Sequence, residues 1–262
     1  MADPVIRFDD GAAYEKFMGI WSRMAGDVFI DWLKPAQGLR WVDVGCGNGA
    51  FTELIVDRCA PAEVQGIDPS EGQLAFARTR PAARLAKFQQ GDAMALPFGD
   101  KTFDAAVMAL VIFFVPEPAR GVAELARVTK PGGLVATYAW DIMGGGFPME
   151  PVQAVLREMG EKLVVPPQAQ ASRLQALRDL WNGAGLEAVE TREITVQRTF
   201  ADFDEFWKIG LLGNSISPIL ARMTPADAEA VKAKSRARLP ANAAGGITYS
   251  ARANAIKGRV PK

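Results

Sequence analysis

The stretch at residues 41–51, WVDVGCGNGAF, limits what this chain can fold into more than any other. The apolar run Leu39, Trp41, Val42 and Val44 predicts a buried parallel strand, three glycines follow at alternate positions, and residues 51–56 predict a helix. A strand, a glycine loop and a helix in that order place backbone N–H groups at a helix N-terminus. Glycines also let a ligand approach the main chain where a Cβ would clash. A nucleotide-like cofactor is the expected guest. Gly45, Gly47 and Ala50 also satisfy the G-x-G-x-x-G/A spacing of dinucleotide-binding enzymes, so the spacing alone leaves NAD open.

Asp43 tilts the choice, because it puts a carboxylate at the strand end beside the loop. Such a group repels a pyrophosphate and attracts an ammonium. The run D-x-G-x-G-x-G from Asp43 to Gly49 resembles the first motif of the class I S-adenosylmethionine-dependent methyltransferases, above all their ubiquinone-biosynthesis-like small-molecule members. S-adenosylmethionine carries an ammonium, a carboxylate and a sulfonium, and no phosphate.

Further along, residues 64–67 predict a second strand ending in Asp68, then a turn at Pro69 and Ser70 and a helix from Glu71 to about residue 79. An acidic residue at that strand tip can accept both hydroxyls of a ribose, in S-adenosylmethionine and NAD alike. Ser70 is a competent N-cap for the helix. Residues 85–90 predict a third strand, after which the resemblance gives Asp92 the adenine amino group and Ala93 a ring nitrogen. Ala95-Leu96-Pro97-Phe98 with Phe103-Asp104 resembles the family's approach to a fourth strand, here 103–111. Three matches in order separate this reading from the dehydrogenase one.

Residues 112–115 follow that strand, and Phe113 and Phe114 stand where relatives often carry histidine. A helix at 117–129 should close at the Lys130-Pro131-Gly132-Gly133 turn before a fifth strand at 134–138. Trp140 and Asp141 then end the strand on the ligand side, and 142–148 is a glycine-rich loop carrying Phe147. Beyond residue 150, helices are expected at 152–163, 172–184, 200–212 and 225–239, and strands at 186–196 and 247–256. The resemblance makes these strands the antiparallel end of a seven-stranded sheet.

Composition excludes several chemistries. Histidine is absent, which removes imidazole bases, imidazole metal ligands and Ser-His-Asp or Cys-His arrangements. Cys46 and Cys59 are the only cysteines, expected as packed thiols rather than a disulfide or a metal site. Thirty basic and thirty acidic residues cancel, so no global field favours nucleic acid or a membrane surface. No apolar run approaches the ~20 residues of a membrane span, and the acidic start at residues 1–10 lacks the pattern of a signal peptide. A cytoplasmic protein is expected.

The expected fold is α/β, a Rossmann-like seven-stranded sheet with helices on both faces, an N-terminal helical lid and a C-terminal helical cap insertion. One domain is expected over 1–262: a lid at 1–38, a cofactor-binding core at 39–140, and substrate loop, cap helices and last strands at 141–262. The lid rests on the apolar stripe of residues 11–34, whose 14–23 stretch looks like the family's N-terminal segment; packing on the sheet explains the stripe equally well. The resemblance implies S-adenosylmethionine held by Tyr14, Asp43, Gly45, Cys46, Gly47, Asn48, Gly49, Asp68, Pro69, Asp92, Ala93 and Ala109. It implies methyl transfer to a small, partly apolar metabolite lined by Phe113, Phe114, Trp140 and Phe147. If a base is used, Asp141 is the first candidate, before Tyr14 and Tyr138. The alternatives are a non-catalytic S-adenosylmethionine-binding protein and an NAD-dependent oxidoreductase.

Overall fold

The computed structural model of the protein describes residues 15–213 and 215–262. Tyr14, expected at the cofactor, therefore lies outside the described residues. A turn of π-helix, Glu15–Gly19, leads into α1 (Ile20–Leu33), which ends with Lys34 in the left-handed conformation before Pro35. Then come β1 (Arg40–Val44), α2 (Ala50–Cys59), β2 (Glu63–Asp68), α3 (Glu71–Ala77), β3 (Ala86–Gln90), β4 (Phe103–Ala109), α4 (Pro118–Val128) and β5 (Thr129–Trp140). The chain continues through α5 (Glu150–Glu158), α6 (Leu174–Gly183), β6 (Glu187–Phe200), α7 (Phe203–Gly210), α8 (Ser217–Leu220), α9 (Pro225–Ala237) and β7 (Ile247–Arg259).

Seven strands form one sheet in the order β3-β2-β1-β4-β5-β7-β6. The first five run parallel, and β7 pairs antiparallel with both β5 and β6. This is the seven-stranded α/β sheet expected from the sequence. Its central strands are covered on both faces, which is why β1 and β4 read as continuous apolar runs. Trp41, Val42, Val44 and Ala105–Met108 are accordingly all buried.

The strand order reverses between β1 and β4. In open α/β sheets such a switch point leaves a crevice at the carboxyl ends of the strands. Beside it, α1 packs against α2, β6 and β7, and its residues Trp21, Ala25, Phe29 and Leu33 recur at helical spacing and are buried. Phe29 packs on Tyr138 of β5 at 4.7 Å between ring centroids and on Phe51 of α2 at 6.0 Å.

Several boundaries differ from expectation. Lys130–Gly133, read as a turn, lies inside β5, because β5 begins pairing with β4 at Phe103↔Thr129 and absorbs the glycines at a bulge there. The helix expected at 152–163 starts at Glu150 and stops at Glu158, with Gly160 at φ +85° just beyond, so residues 161–168 are free to run across the crevice. β6 extends to Phe200 through its pairing with β7, and α7 starts only after Asp202, whose carboxylate caps it by accepting from the Glu205 amide. Among the described residues no helix is long and apolar enough to cross a membrane.

Candidate functional site

The crevice at the switch point is a cavity of about 1210 Å³. Loops following β1, β2 and β4 form its floor, together with Tyr138 of β5. Its glycine loop is stitched to the end of β2. Gly45 and Cys46 both donate to the Ile67 carbonyl, at 2.6 and 2.9 Å, and Gly47 donates to an Asp68 carboxylate oxygen at 2.9 Å. Gly45 must be glycine, since its φ is +73° and a Cβ there would lie 2.5 Å from the Val111 side chain. Gly49, at φ +79°, turns the chain into α2.

Two carboxylates face this loop. Asp43 is completely buried; one oxygen accepts from the Thr52 hydroxyl at 2.7 Å, and Oδ1 is buried without a partner among the described residues. Burial pushes its pKa up to about 7, against the Thr52 hydrogen bond and with help from the Asp68 charge. Asp68 is also buried, and its oxygens accept from the Gly47 and Ser70 amides, each at 2.9 Å. Burial again raises its pKa, while the two amides pull it down. Ser70, as expected, caps α3. The Cys46 thiol is driven well above its ordinary value by burial and then by the Asp43 and Asp68 charges, which suits a packed residue and not a nucleophile.

The N-terminal segment is tied to the same loop. Glu15 accepts from the Asn48 side chain at 2.9 Å and from Arg80, and Arg80 also reaches the Asn48 carbonyl at 2.6 Å and Glu53 at 2.9 Å. From α1, Ser22 enters the cavity lining with its hydroxyl buried and unpaired among the described residues. Tyr138 donates to the Ser22 carbonyl at 3.3 Å.

A smaller apolar recess of about 70 Å³ adjoins the cavity. Leu110, Phe114, Val164 and Val165 line both spaces. Phe113 and Phe114 meet edge to face at 4.8 Å on a 3-10 turn that follows β4. The 161–168 connection is pinned to that turn by hydrogen bonds from Gln168 to the Phe113 and Pro116 carbonyls, each at 3.0 Å.

Of the residues expected from the sequence, Asp43, Gly45, Cys46, Gly47, Asn48, Asp68, Pro69 and Ala109 line the cavity. Phe113, Phe114, Trp140 and Phe147 line the recess. Asp92 and Ala93 line neither: Asp92 is exposed at the end of β3, and its carboxylate accepts from the Met94 amide at 2.8 Å. Asp141 is also outside both. One of its oxygens is held by Arg252 at 2.6 and 3.1 Å and the other by the Gly144 amide at 3.0 Å, so it closes the 141–146 loop onto β7. Ser22, the 162–165 run and Gln153 were missed. Ser22 was findable as a lone hydroxyl on an apolar helical stripe; the others had no local signal.

The donor set suits the cofactor of the resembled family. A buried unpaired carboxylate oxygen matches an ammonium, a buried unpaired hydroxyl matches a carboxylate, and the glycine loop offers bare backbone to a nucleoside.

Residues 42–137 match the family model described as a methyltransferase domain. The chain is 31% identical over 192 residues to an O-methyltransferase of Penicillium expansum, covering 71% of this chain and 66% of that protein. It is 42% identical over 112 residues to the chloroplastic 2-methyl-6-phytyl-1,4-hydroquinone methyltransferase 2 of rice, covering 41% of this chain and 32% of that one. The matches thus span less than two thirds of these relatives' own length. Haemonchus contortus phosphoethanolamine N-methyltransferase 2, solved in complex with S-adenosyl-L-methionine, superposes with a TM-score of 0.58 at 17% identity over 97% of this chain and 58% of that one, a likeness of fold alone. By its matched domain, its glycine-loop motif and its sheet order, the chain belongs to the class I S-adenosylmethionine-dependent methyltransferases.

Proposed function

We propose that this protein transfers a methyl group from S-adenosylmethionine to a small, partly apolar metabolite. The observation that carries the reading is the Asp43 oxygen, buried without a partner in the lining of a cavity built on the glycine loop. Leaving a buried acceptor unpaired costs about 1–3 kcal/mol, more when it is charged, so an ammonium donor there is strongly favoured. When bound, the cofactor supplies a sulfonium methyl open to in-line displacement by an acceptor's lone pair, the C–S electrons staying on sulfur and the acceptor's proton passing to water.

The chain's own residues bind, orient and exclude water. Asp43 takes the ammonium, the Ser22 hydroxyl the carboxylate, and Asp68 the ribose hydroxyls beside the Gly47 amide it already holds. Asp92 and Ala93, beyond Asp68 at the end of the neighbouring strand, remain the proposed adenine contacts. The acceptor enters from the recess side, walled by Phe113, Phe114 and Phe147. Alignment of this kind supplies ~7–11 kcal/mol of a displacement barrier without a dedicated base. Arg252 holds the Asp141 carboxylate, and histidine is absent, so an acceptor that needs no strong base fits best. The rice relative, named for a hydroquinone, and the fungal O-methyltransferase favour an aromatic ring bearing oxygen as the acceptor.

The test is parallel calorimetric titration with S-adenosylmethionine, S-adenosylhomocysteine and NAD. Micromolar binding of both adenosyl ligands with none for NAD is expected. Binding of NAD alone overturns the reading, and cofactor binding without turnover on any acceptor of a broad metabolite set would make this a binding protein.

A further inference from the structure

Three neutral polar side chains, Trp140, Gln153 and Ser215, stand in the otherwise apolar lining of the recess. Trp140, at the end of β5, is 2% exposed, and its indole N–H is buried with no acceptor among the described residues. Gln153, on the buried face of α5, is 7% exposed, and its side-chain amide makes no hydrogen bond to any described residue. Both line the recess, and no charged side chain does so among the described residues. An indole N–H can only donate, while an amide can donate or accept. Buried polar groups are nearly always paired, so the buried Trp140 N–H calls for an acceptor supplied from outside, and Gln153 stands in the same pocket lining with an amide that can donate or accept.

We propose that Trp140 and Gln153 select the methyl acceptor by hydrogen-bonding a neutral oxygen of carbonyl or phenol type at the buried end of an apolar framework. The lack of charge in the lining excludes an ionic group at that end, because an unpaired charge there would go unsolvated. The volume of about 70 Å³ holds on the order of five waters, the bulk of roughly one six-membered ring. Leu110, Phe114, Val164 and Val165, shared with the large cavity, put the ring's other edge next to the proposed methyl donor. Sites built around a hydrogen bond reject analogues that lack it, since their own groups are then left unpaired. Only the identification of that edge as the reacting one rests on the cofactor reading above.

The probes are acetophenone and ethylbenzene, which share a ring and differ in the carbonyl. Their affinities are measured by saturation-transfer NMR, with and without S-adenosylhomocysteine, on the full chain and on Trp140→Phe and Gln153→Leu. Acetophenone is expected to bind the wild type about fivefold more tightly than ethylbenzene, the worth of one net hydrogen bond. Trp140→Phe should bring the two probes level while leaving ethylbenzene unchanged, and Gln153→Leu should narrow the gap. Equal binding of the probes to the wild type, or a gap that survives Trp140→Phe, overturns the proposal. If Trp140→Phe loses its native circular dichroism, Gln153→Leu decides, and an unaltered gap there overturns it as well. Failure to bind S-adenosylhomocysteine would sink the cofactor reading by itself, because the probe ratio still reports on the recess.

Discussion

At Asp43 stability and ligand recognition pull in opposite directions, and replacing it by asparagine exposes both. Burial raises the carboxyl from 3.8 to about 7, so the folded state binds a proton that the unfolded state gives up. The stabilisation held by the neutral acid is therefore complete below the unfolded value and is lost as pH climbs through about 7. A displacement of about three pKa units corresponds to on the order of 4 kcal/mol, an upper bound because water can reach the site from the cavity. Asp43→Asn escapes this loss. In urea unfolding without ligand, the variant should match the wild type near about pH 4 and exceed it by several kcal/mol near about pH 8. An ammonium ligand reverses the balance, since pairing ionises the carboxyl. Near about pH 7, wild-type binding of S-adenosylhomocysteine should release up to about half a proton, read as a difference in binding enthalpy between phosphate and Tris buffers. The asparagine variant should release none and bind at least about tenfold more weakly. Equal enthalpies in the two buffers throughout the neutral range, or a variant no more stable than wild type at alkaline pH, would refute the argument.

Asp68→Ala should weaken S-adenosylhomocysteine about tenfold or more, through lost charge-assisted bonds of ~1.5–3 kcal/mol each. It should also lower the melting temperature, because the Gly47 and Ser70 amides lose their acceptor; unaltered affinity would remove the ribose role. Asp141→Asn breaks the pair with Arg252, whose side chain is 39% exposed, so screening limits the loss to about 1 kcal/mol, or roughly 2–4 °C in melting temperature. Cofactor affinity should hold. A fall of about a hundredfold or more in methyl transfer at an unshifted melting temperature would instead restore Asp141 as a base.

Around the glycine loop the sequence was read with little loss, because the information there is local. Strand, positive-φ glycines and helix lie within a dozen residues, and Asp43 and Asp68 each sit at a strand end where backbone geometry alone brings them to the loop. Asp141 shows the opposite case. Its position at the end of β5 suggested a substrate contact, but its partner is Arg252, 111 residues away in sequence, brought alongside by β5–β7 pairing. Residues 161–163 likewise read as the tail of a helix, and the place of the 161–168 run over the crevice follows from hydrogen bonds between Gln168 and the turn after β4. No periodicity in either segment encodes those contacts.

The sequence by itself therefore determined the sheet's parallel core, the glycine loop with its two carboxylates, and the absence of imidazole chemistry, all of which depend on residue type and short-range spacing. The tertiary structure alone decided which polar groups remain unpaired. Asp43 Oδ1, the Ser22 hydroxyl and the Trp140 indole come from three different elements, and hydrogen-bond satisfaction is settled only when every long-range neighbour is in place.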